Sequence, residues 1–568
     1  MQRRKLCRDG SDSAGSIGVS STRRPGLCLV LSLLFCVVFT VGCASPAPMH
    51  GQQESASPSE TSLGPTRGPV SLATASCMAL AVPCVKPTDS SQPATSSHSL
   101  LPEAIPWRTD SLQPTSTSTP AQRATRLPRE TVTLAPKATA TVVATAGPAL
   151  EEWEPARVPS DEQLRMYIEG MPLADKIGQM MLVGFPGQRL SESPELENLI
   201  SDYYVGGLVL QERNAHDPQQ LSQLLAEAQD LAAHTGSGIP LFVSINHEGG
   251  NVVHITEGVT HFPGNMALGA TGRTDYAYIA AAMAADELRA MGVNMNLAPV
   301  LDVNEDPNNP IIGARSFGGS PGLVQDMGRE AIRGLQQQGV IAVGKHFPGH
   351  GSVAIDSHIG LPTLDKEASE LEEVELPPFE MAVEVGADAI MTAHIVVTAW
   401  EPEPNLPATL SENIVTGILR ERMGYDGIVM TDSLGMGAIT AQWTQAEAAV
   451  AAVKAGVDVV LSTGPISAQE AIHEALMAAV QRGDIPLQRI DDSVLRILRV
   501  KHKYRLFEKQ PQMNLSVVHS PEHQAMADEI GLAAITVYKD DGALVPLPEQ
   551  THRLLVISPQ GLPPASDG

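Results

Sequence analysis

Residues 340 to 358 read Val-Ile-Ala-Val-Gly-Lys-His-Phe-Pro-Gly-His-Gly-Ser-Val-Ala-Ile-Asp-Ser-His. The apolar run Val340 to Val343 has the length and β-branched content of a buried strand. Pro348 and the glycines at 349 and 351 keep a helix from following directly. The stretch is therefore a strand end feeding a loop, and that loop carries Lys345, three histidines and Asp356. In an extended backbone, residues two apart project to the same side, which brings Asp356 and His358 together. A carboxylate beside an imidazole fixes the ring's tautomer and favours its protonated form, the state needed to give a proton away. The plain alternative is a polar, glycine-rich surface loop.

Outward from this stretch, short apolar runs recur with helical patterns between them. They are Met180 to Phe185, Gly207 to Leu210, Pro240 to Ile245, Val293 to Pro299, Val340 to Val343, Ala387 to Ala393, Gly427 to Thr431 and Val457 to Ser462. Amphipathic segments such as 219 to 233, 276 to 291 and 412 to 422 alternate with them. Eight β-then-α units in series predict the α/β class, a (β/α)8 TIM barrel with its helices outside. An open doubly wound sheet would carry a glycine-rich phosphate turn after its first strand, and Gly184-Phe185-Pro186-Gly187 is not one. In such a barrel, catalytic groups lie just past the strand ends. The polar residues that fall there are Asn246, His247 and Glu248, then Asp302 and Arg315, Lys345 and His346, His394, and Asp432. Of these, Glu248, Asp302 and His394 are expected to hold loops rather than touch a reacting bond.

The chain has 568 residues and a formal net charge of -26, which argues against a nucleic-acid partner and against a polybasic membrane patch. All six cysteines lie at or before Cys84, so the barrel region depends on neither disulfides nor thiolate metal ligands. Arginines and a lysine precede an apolar run from Leu27 to Val41, too short to span a bilayer, which reads as a secretory signal. It ends in Thr40-Val41-Gly42-Cys43-Ala44, which resembles a bacterial lipobox with Thr40 in place of the usual leucine. Lipidation of Cys43 is the expectation, with an uncleaved signal anchor as the alternative. From Ala44 to about residue 150 the chain is rich in Ser, Thr, Pro and Ala and reads as a disordered spacer. The predicted organisation is signal peptide 1–43, linker 44–150, barrel 151–508, and 509–568 as the start of a C-terminal α/β domain, vestigial or cut short. In that last part Ser520-Pro521-Glu522 starts a helix, and 535 to 538 and 554 to 557 read as strands. The expected location is extracytoplasmic: secreted and tethered at the outer face of a bacterial membrane.

Lys-His-Phe-Pro-Gly-His-Gly, four residues, then Asp-Ser-His resembles the signature of glycoside hydrolase family 3 in its β-N-acetylhexosaminidase branch, and the resemblance runs from about Ser160 to about Phe507. It implies a retaining exo-glycosidase that needs no metal or cofactor and acts on amino-sugar glycosides from cell wall or chitin. By pattern alone Asp432, where an apolar strand ends in an acid, is equally a nucleophile or a helix cap. The resemblance makes it the nucleophile. It likewise makes His358 the acid/base with Asp356 as its partner, and Lys345, His346 and Arg315 substrate binders. A histidine acid/base also leaves room for an anionic acceptor such as phosphate.

Two positions depart from the family pattern. Asn246 stands where an aspartate is usual, and His254 where an arginine is usual, both on the sugar-binding side. An amide donates as well as accepts, whereas a carboxylate only accepts. The competing readings are therefore a β-glucosidase or β-xylosidase of the same family, and a lipoprotein that binds glycan without cleaving it. A metal hydrolase built on His346, His350, Asp356 and His358 lacks the helical or paired spacing that zinc sites use.

Overall fold

The computed structural model describes residues 153–353, 355–508 and 514–538, together with residues 540 and 547. The expected signal, Cys43, the spacer and the strand at 554–557 lie outside the described residues.

Eight strands form one parallel sheet: β1 (Met181–Gly184), β2 (Gly207–Leu210), β3 (Phe242–Ile245), β4 (Met295–Asn296), β5 (Ile341–Phe347), β6 (Ala389–Thr392), β7 (Ile428–Thr431) and β8 (Val460–Ser462). Each pairs in parallel with its successor from β1 to β7, and β1 also pairs with β8. A parallel bridge between Met430 and Val459, with the Thr431 N–H donating to the Val459 carbonyl at 3.0 Å, brings β7 to β8 and closes the barrel. Every residue of these strands is buried, which is why they read as near-continuous apolar runs and not as alternating ones.

The eight predicted barrel strands are all present, with β4 the shortest. Pro299 has no N–H to give a ladder, and the Ala298–Pro299 peptide is cis. The chain keeps its place there through carbonyls: Ala298 and Pro299 accept from the N–H groups of Val343 and Lys345 at 2.8 and 3.1 Å.

Helices Pro218–Ala233, Thr274–Ala290, Pro321–Gln337, Gln445–Ala455, Ile466–Arg482 and Leu487–Lys503 pack outside the strands. Local chemistry sets their starts. Asp217 caps the first of these through the Gln220 N–H, with Pro218 at its first position, and Thr444 and Glu447 form a capping box. The segment Asn413–Arg422, read from sequence as amphipathic, is wound as a π-helix.

After the barrel, helix Pro521–Ala533 is capped by Ser520, as its sequence predicts. Its Met526, Ala527 and Ile530 join Phe262, Leu268, Tyr276 and Ala280 in one apolar cluster on the barrel's flank. His523 Nδ1 lies 2.8 Å from the buried Glu287 carboxylate, which also takes the backbone N–H groups of Thr260 and His519. Residues 535–538 form no strand, because no described strand lies beside them to complete a ladder.

Candidate active site

The floor of the site is a buried ion cluster that joins three strand ends. Glu248, three residues past β3, takes Arg315 bidentately at 2.7 and 2.9 Å and Lys345 Nζ at 2.7 Å. Lys345 also donates to Asn246 Oδ1 at 2.7 Å. Burial works against the Glu248 charge, but the two cations outweigh it and hold its carboxyl at about 2. Burial pulls the Lys345 ammonium below its ordinary range, with Glu248 limiting the fall. Asn246 thus serves as an acceptor for Lys345, and Arg315 and Lys345 are fixed by Glu248 before any ligand arrives. His254 is half-buried at the same mouth. Its proton affinity is lowered by burial and then by Lys345, so it faces the cluster as a neutral ring.

A second cluster sits under β4 and β5. Asp302, fully buried, accepts from His346 Nδ1 at 2.7 Å and from the backbone N–H groups of His346 and His350 at 3.2 and 2.6 Å. Despite burial, the two histidines keep its carboxyl below the usual range, which fixes the His346 tautomer with the proton on Nδ1. The Lys345–His346 peptide is cis, and the β5–β6 register shifts between Lys345 and Phe347.

Asp432 follows β7 directly. Its Oδ1 accepts from the Ser433 N–H at 2.7 Å. Burial pushes its carboxyl up, but His346, His394, the Ser433 N–H and Lys345 together bring it below the ordinary value, so it stands ionised at neutral pH. Beside it His394 is wholly buried; its Nε2–H donates to the Ser433 carbonyl at 3.1 Å and Nδ1 meets the Thr409 hydroxyl at 2.8 Å. Burial lowers this ring's proton affinity, and the Asp432 charge beside it pulls the other way. Glu248, Asp302 and His394 thus all make the holding contacts expected of them.

Asp356 and His358 meet at 2.8 Å, Oδ1 to Nδ1. The route differs from the expected one. Residues 355–360 form a turn, not an extended segment. The Asp356 carboxylate also accepts the His358 N–H at 2.8 Å, and the Asp356 carbonyl takes the N–H groups of Ile359 and Gly360. The His358 side chain is 60% exposed. The turn leans on the loop that follows Asp432: the Gly437 and Ala438 N–H groups donate to the carbonyls of His358 and Ser357 at 3.2 and 3.0 Å. His358 also lies close enough for its charge to act on His394, the neighbour of Asp432.

Among the described residues no three His, Cys, Asp or Glu side chains converge as a metal would need. His346 is engaged with Asp302, and His358 with Asp356. Two residues that sequence reasoning left without a role, His350 and Ser357, are buried and bonded to each other at 3.1 Å. The signal for both was present, since each lies inside the 345–358 stretch. Here an ionised carboxylate just past β7 and an imidazole–carboxylate pair on a turn bonded to the segment after it have the makings of displacement at carbon with proton transfer to a leaving oxygen.

The profile described as "Glycosyl hydrolase family 3 N terminal domain" matches residues 172–500. Beta-hexosaminidase A of Pseudoalteromonas piscicida is 34% identical over 386 residues, and the match covers 64% of this chain and 64% of that one. A beta-N-acetylglucosaminidase/beta-glucosidase of Cellulomonas fimi is 29% identical over 406 residues, covering 69% of each chain. Among solved structures, a family 3 beta-N-acetylglucosaminidase from Paenibacillus sp. FPU-7 superposes with a TM-score of 0.64 at 44% identity, covering 66% of this chain and 70% of that one.

Proposed function

Since the chain belongs to glycosyl hydrolase family 3, we propose that it is a retaining exo-β-N-acetylhexosaminidase, which releases terminal non-reducing N-acetyl-β-hexosamine from cell-wall or chitin fragments. The observation that carries this reading is the pairing of an ionised Asp432 at the end of β7 with the Asp356–His358 pair on a turn hydrogen-bonded to the loop after Asp432.

The Asp432 carboxylate attacks the anomeric carbon as the glycosidic C–O bond breaks. His358, protonated and held by Asp356 at Nδ1, gives its Nε2 proton to the departing oxygen. The product of this step is a glycosyl ester on Asp432. His358, now neutral, takes a proton from water as that water attacks the anomeric carbon, and Asp432 leaves as a carboxylate. Lys345 and Arg315, already set by Glu248, offer N–H groups to sugar hydroxyls without reorganising. Asn246 and His254 border the same sugar and set which ring substituents fit.

Turnover of 4-nitrophenyl N-acetyl-β-glucosaminide by the full chain tests the reading, beside Asp432→Ala and His358→Ala. Activity that vanishes in Asp432→Ala and falls steeply in His358→Ala supports it. Faster turnover of the glucoside or xyloside would overturn the substrate class, and activity retained in Asp432→Ala would overturn the mechanism. The signal-like N-terminus and Cys43 support a membrane-tethered extracytoplasmic location; radiolabelled palmitate absent from the wild type would sink that part.

A further inference from the structure

His350 takes no part in the chemistry above, yet it is among the most tightly fixed groups in the site. Its N–H donates to Asp302 Oδ1 at 2.6 Å, and its carbonyl accepts from Asn309 Nδ2 at 2.9 Å. The residues on either side allow it no play. A Cβ on Gly351 would lie 1.8 Å from the Val303 carbonyl oxygen, and one on Gly349 would lie 2.7 Å from Glu375 Cγ. Its ring packs edge-on against His346 with 6.0 Å between centroids. Among the described residues one polar contact leaves that ring, from Nε2 to Ser357 Oγ at 3.1 Å, while the buried Nδ1 meets no partner there.

Ser357 is the residue between Asp356 and His358. It is 3% exposed, whereas Ile355 and Ile359 around it are 53% and 82% exposed. The turn therefore has an exposed outer surface and one buried side chain. Among the described residues three bonds tie its central residues to the rest of the barrel: Ser357 Oγ to His350, the Ser357 carbonyl to Ala438 N–H, and the His358 carbonyl to Gly437 N–H. The Ser357–His350 bond is the one among these made by side chains.

Resting on the glycosidase reading above, we infer that His350 and Ser357 form a latch that sets the position of His358 over the scissile oxygen, which makes both of them positioning residues for proton donation. The latch connects the acid/base turn to Asp302, and through Asp302 to His346 on the substrate side. A general acid displaced from its lone-pair partner loses most of its advantage while the rest of the site is unchanged.

Such a role has a signature that mere scaffolding lacks. Proton donation matters when the leaving group is a poor one and hardly at all when it is a good one. The full chain is assayed for kcat/KM on N,N′-diacetylchitobiose, whose leaving group is a sugar alkoxide, and on 2,4-dinitrophenyl N-acetyl-β-glucosaminide, whose leaving group needs no proton. His358→Ala sets the scale, with an expected loss on chitobiose of roughly a hundredfold or more and a small one on the dinitrophenyl glycoside. Ser357→Ala and His350→Leu are each expected to lose about tenfold on chitobiose and under about threefold on the dinitrophenyl glycoside, as for the loss of one positioning hydrogen bond. The double variant is expected to lose no more than the worse single one. Equal losses on both substrates in Ser357→Ala, or none, overturn the latch, and the small serine change guards against a folding failure in His350→Leu. If His358→Ala itself falls equally on both substrates, the acid/base assignment fails and the latch with it.

Discussion

Replacing Glu248 with glutamine removes one negative charge and almost no volume, and the structure says what that charge is worth. Glu248 is the shared partner of Arg315 and Lys345, and its carboxyl is held at about 2 against an ordinary 4.5. At 1.36 kcal/mol per pH unit, the charged form contributes roughly 3 kcal/mol to folding at neutral pH. The same figure follows from the other side, since removing one partner from a buried ion pair costs about 3–5 kcal/mol. Because the carboxyl is depressed in the folded chain, its contribution is complete above the unfolded value and is lost as pH falls through the folded one. About half of it remains near pH 3.5. Urea unfolding of wild type and Glu248→Gln at pH 7, 5.5 and 3.5 measures this directly. The stability gap should be roughly 3 kcal/mol at pH 7, unchanged at pH 5.5, and about half as large at pH 3.5. A gap below about 1 kcal/mol at pH 7, or one that does not narrow between pH 5.5 and 3.5, would refute the claim that this carboxylate anchors two buried cations.

Gly437→Ala would put a Cβ 2.5 Å from the His358 carbonyl oxygen and 3.0 Å from that of Ile359, so it should push the acid/base turn away. Steady-state assays on chitobiose should show a loss of up to about a hundredfold in kcat/KM, with little change in thermal midpoint. Lys501 is buried on Nζ contacts to Gln179 and Gly206, with no acidic partner among the described residues, and burial drives its ammonium well below the ordinary value. Wild-type stability relative to Lys501→Met should therefore rise as pH goes from 7 to 10, as paired urea titrations would show; a flat difference would contradict it. Asp458, wholly buried just ahead of β8, carries Arg420, Arg489 and Arg496, which together outweigh burial and keep it ionised. Asp458→Asn should cost about 3–5 kcal/mol in unfolding free energy while leaving kcat per folded molecule unchanged, because it lies at the end of the barrel away from Asp432.

The barrel was legible because parallel strands with both faces covered leave apolar runs that stand out in the chain. Gly207–Leu210 was read to the residue, whereas the run at 293 to 299 was read too long: regular pairing stops after Asn296 and returns only as a single bridge at Val300, beyond Pro299, which has no N–H to give. The groups of the floor were legible as polar residues just past strand ends. Their partners were legible only in part: Asn246 and Arg315 were read as ligands for sugar, and the structure shows them first as ligands for Lys345 and Glu248. The Asp356–His358 contact was foreseen from strand geometry and is made by a turn, since two residues can also be joined by a carboxylate that caps the next N–H groups. Nothing local announces the docking of Gly437 and Ala438 on that turn, because it joins backbone groups far apart in sequence and leaves no periodicity.

The openness of the His358 ring bears on where its protons come from. With 60% of the side chain in water, the imidazole is within direct reach of the water that attacks the glycosyl ester in the proposed mechanism, and that water's proton restores the acid. No internal wire of waters or hydroxyls has to recharge it, and none has to be reset after each turnover. The ring's counter-charge, Asp356, sits on the same turn, so the pair carries its own electrostatic surroundings. In the proposed mechanism proton supply is met at this turn, while sugar recognition is assigned to the buried cluster of Glu248, Arg315 and Lys345. The turn meets a new leaving group on its exposed side, and what it shares with the sugar-binding side passes through Ser357, His350 and Asp302.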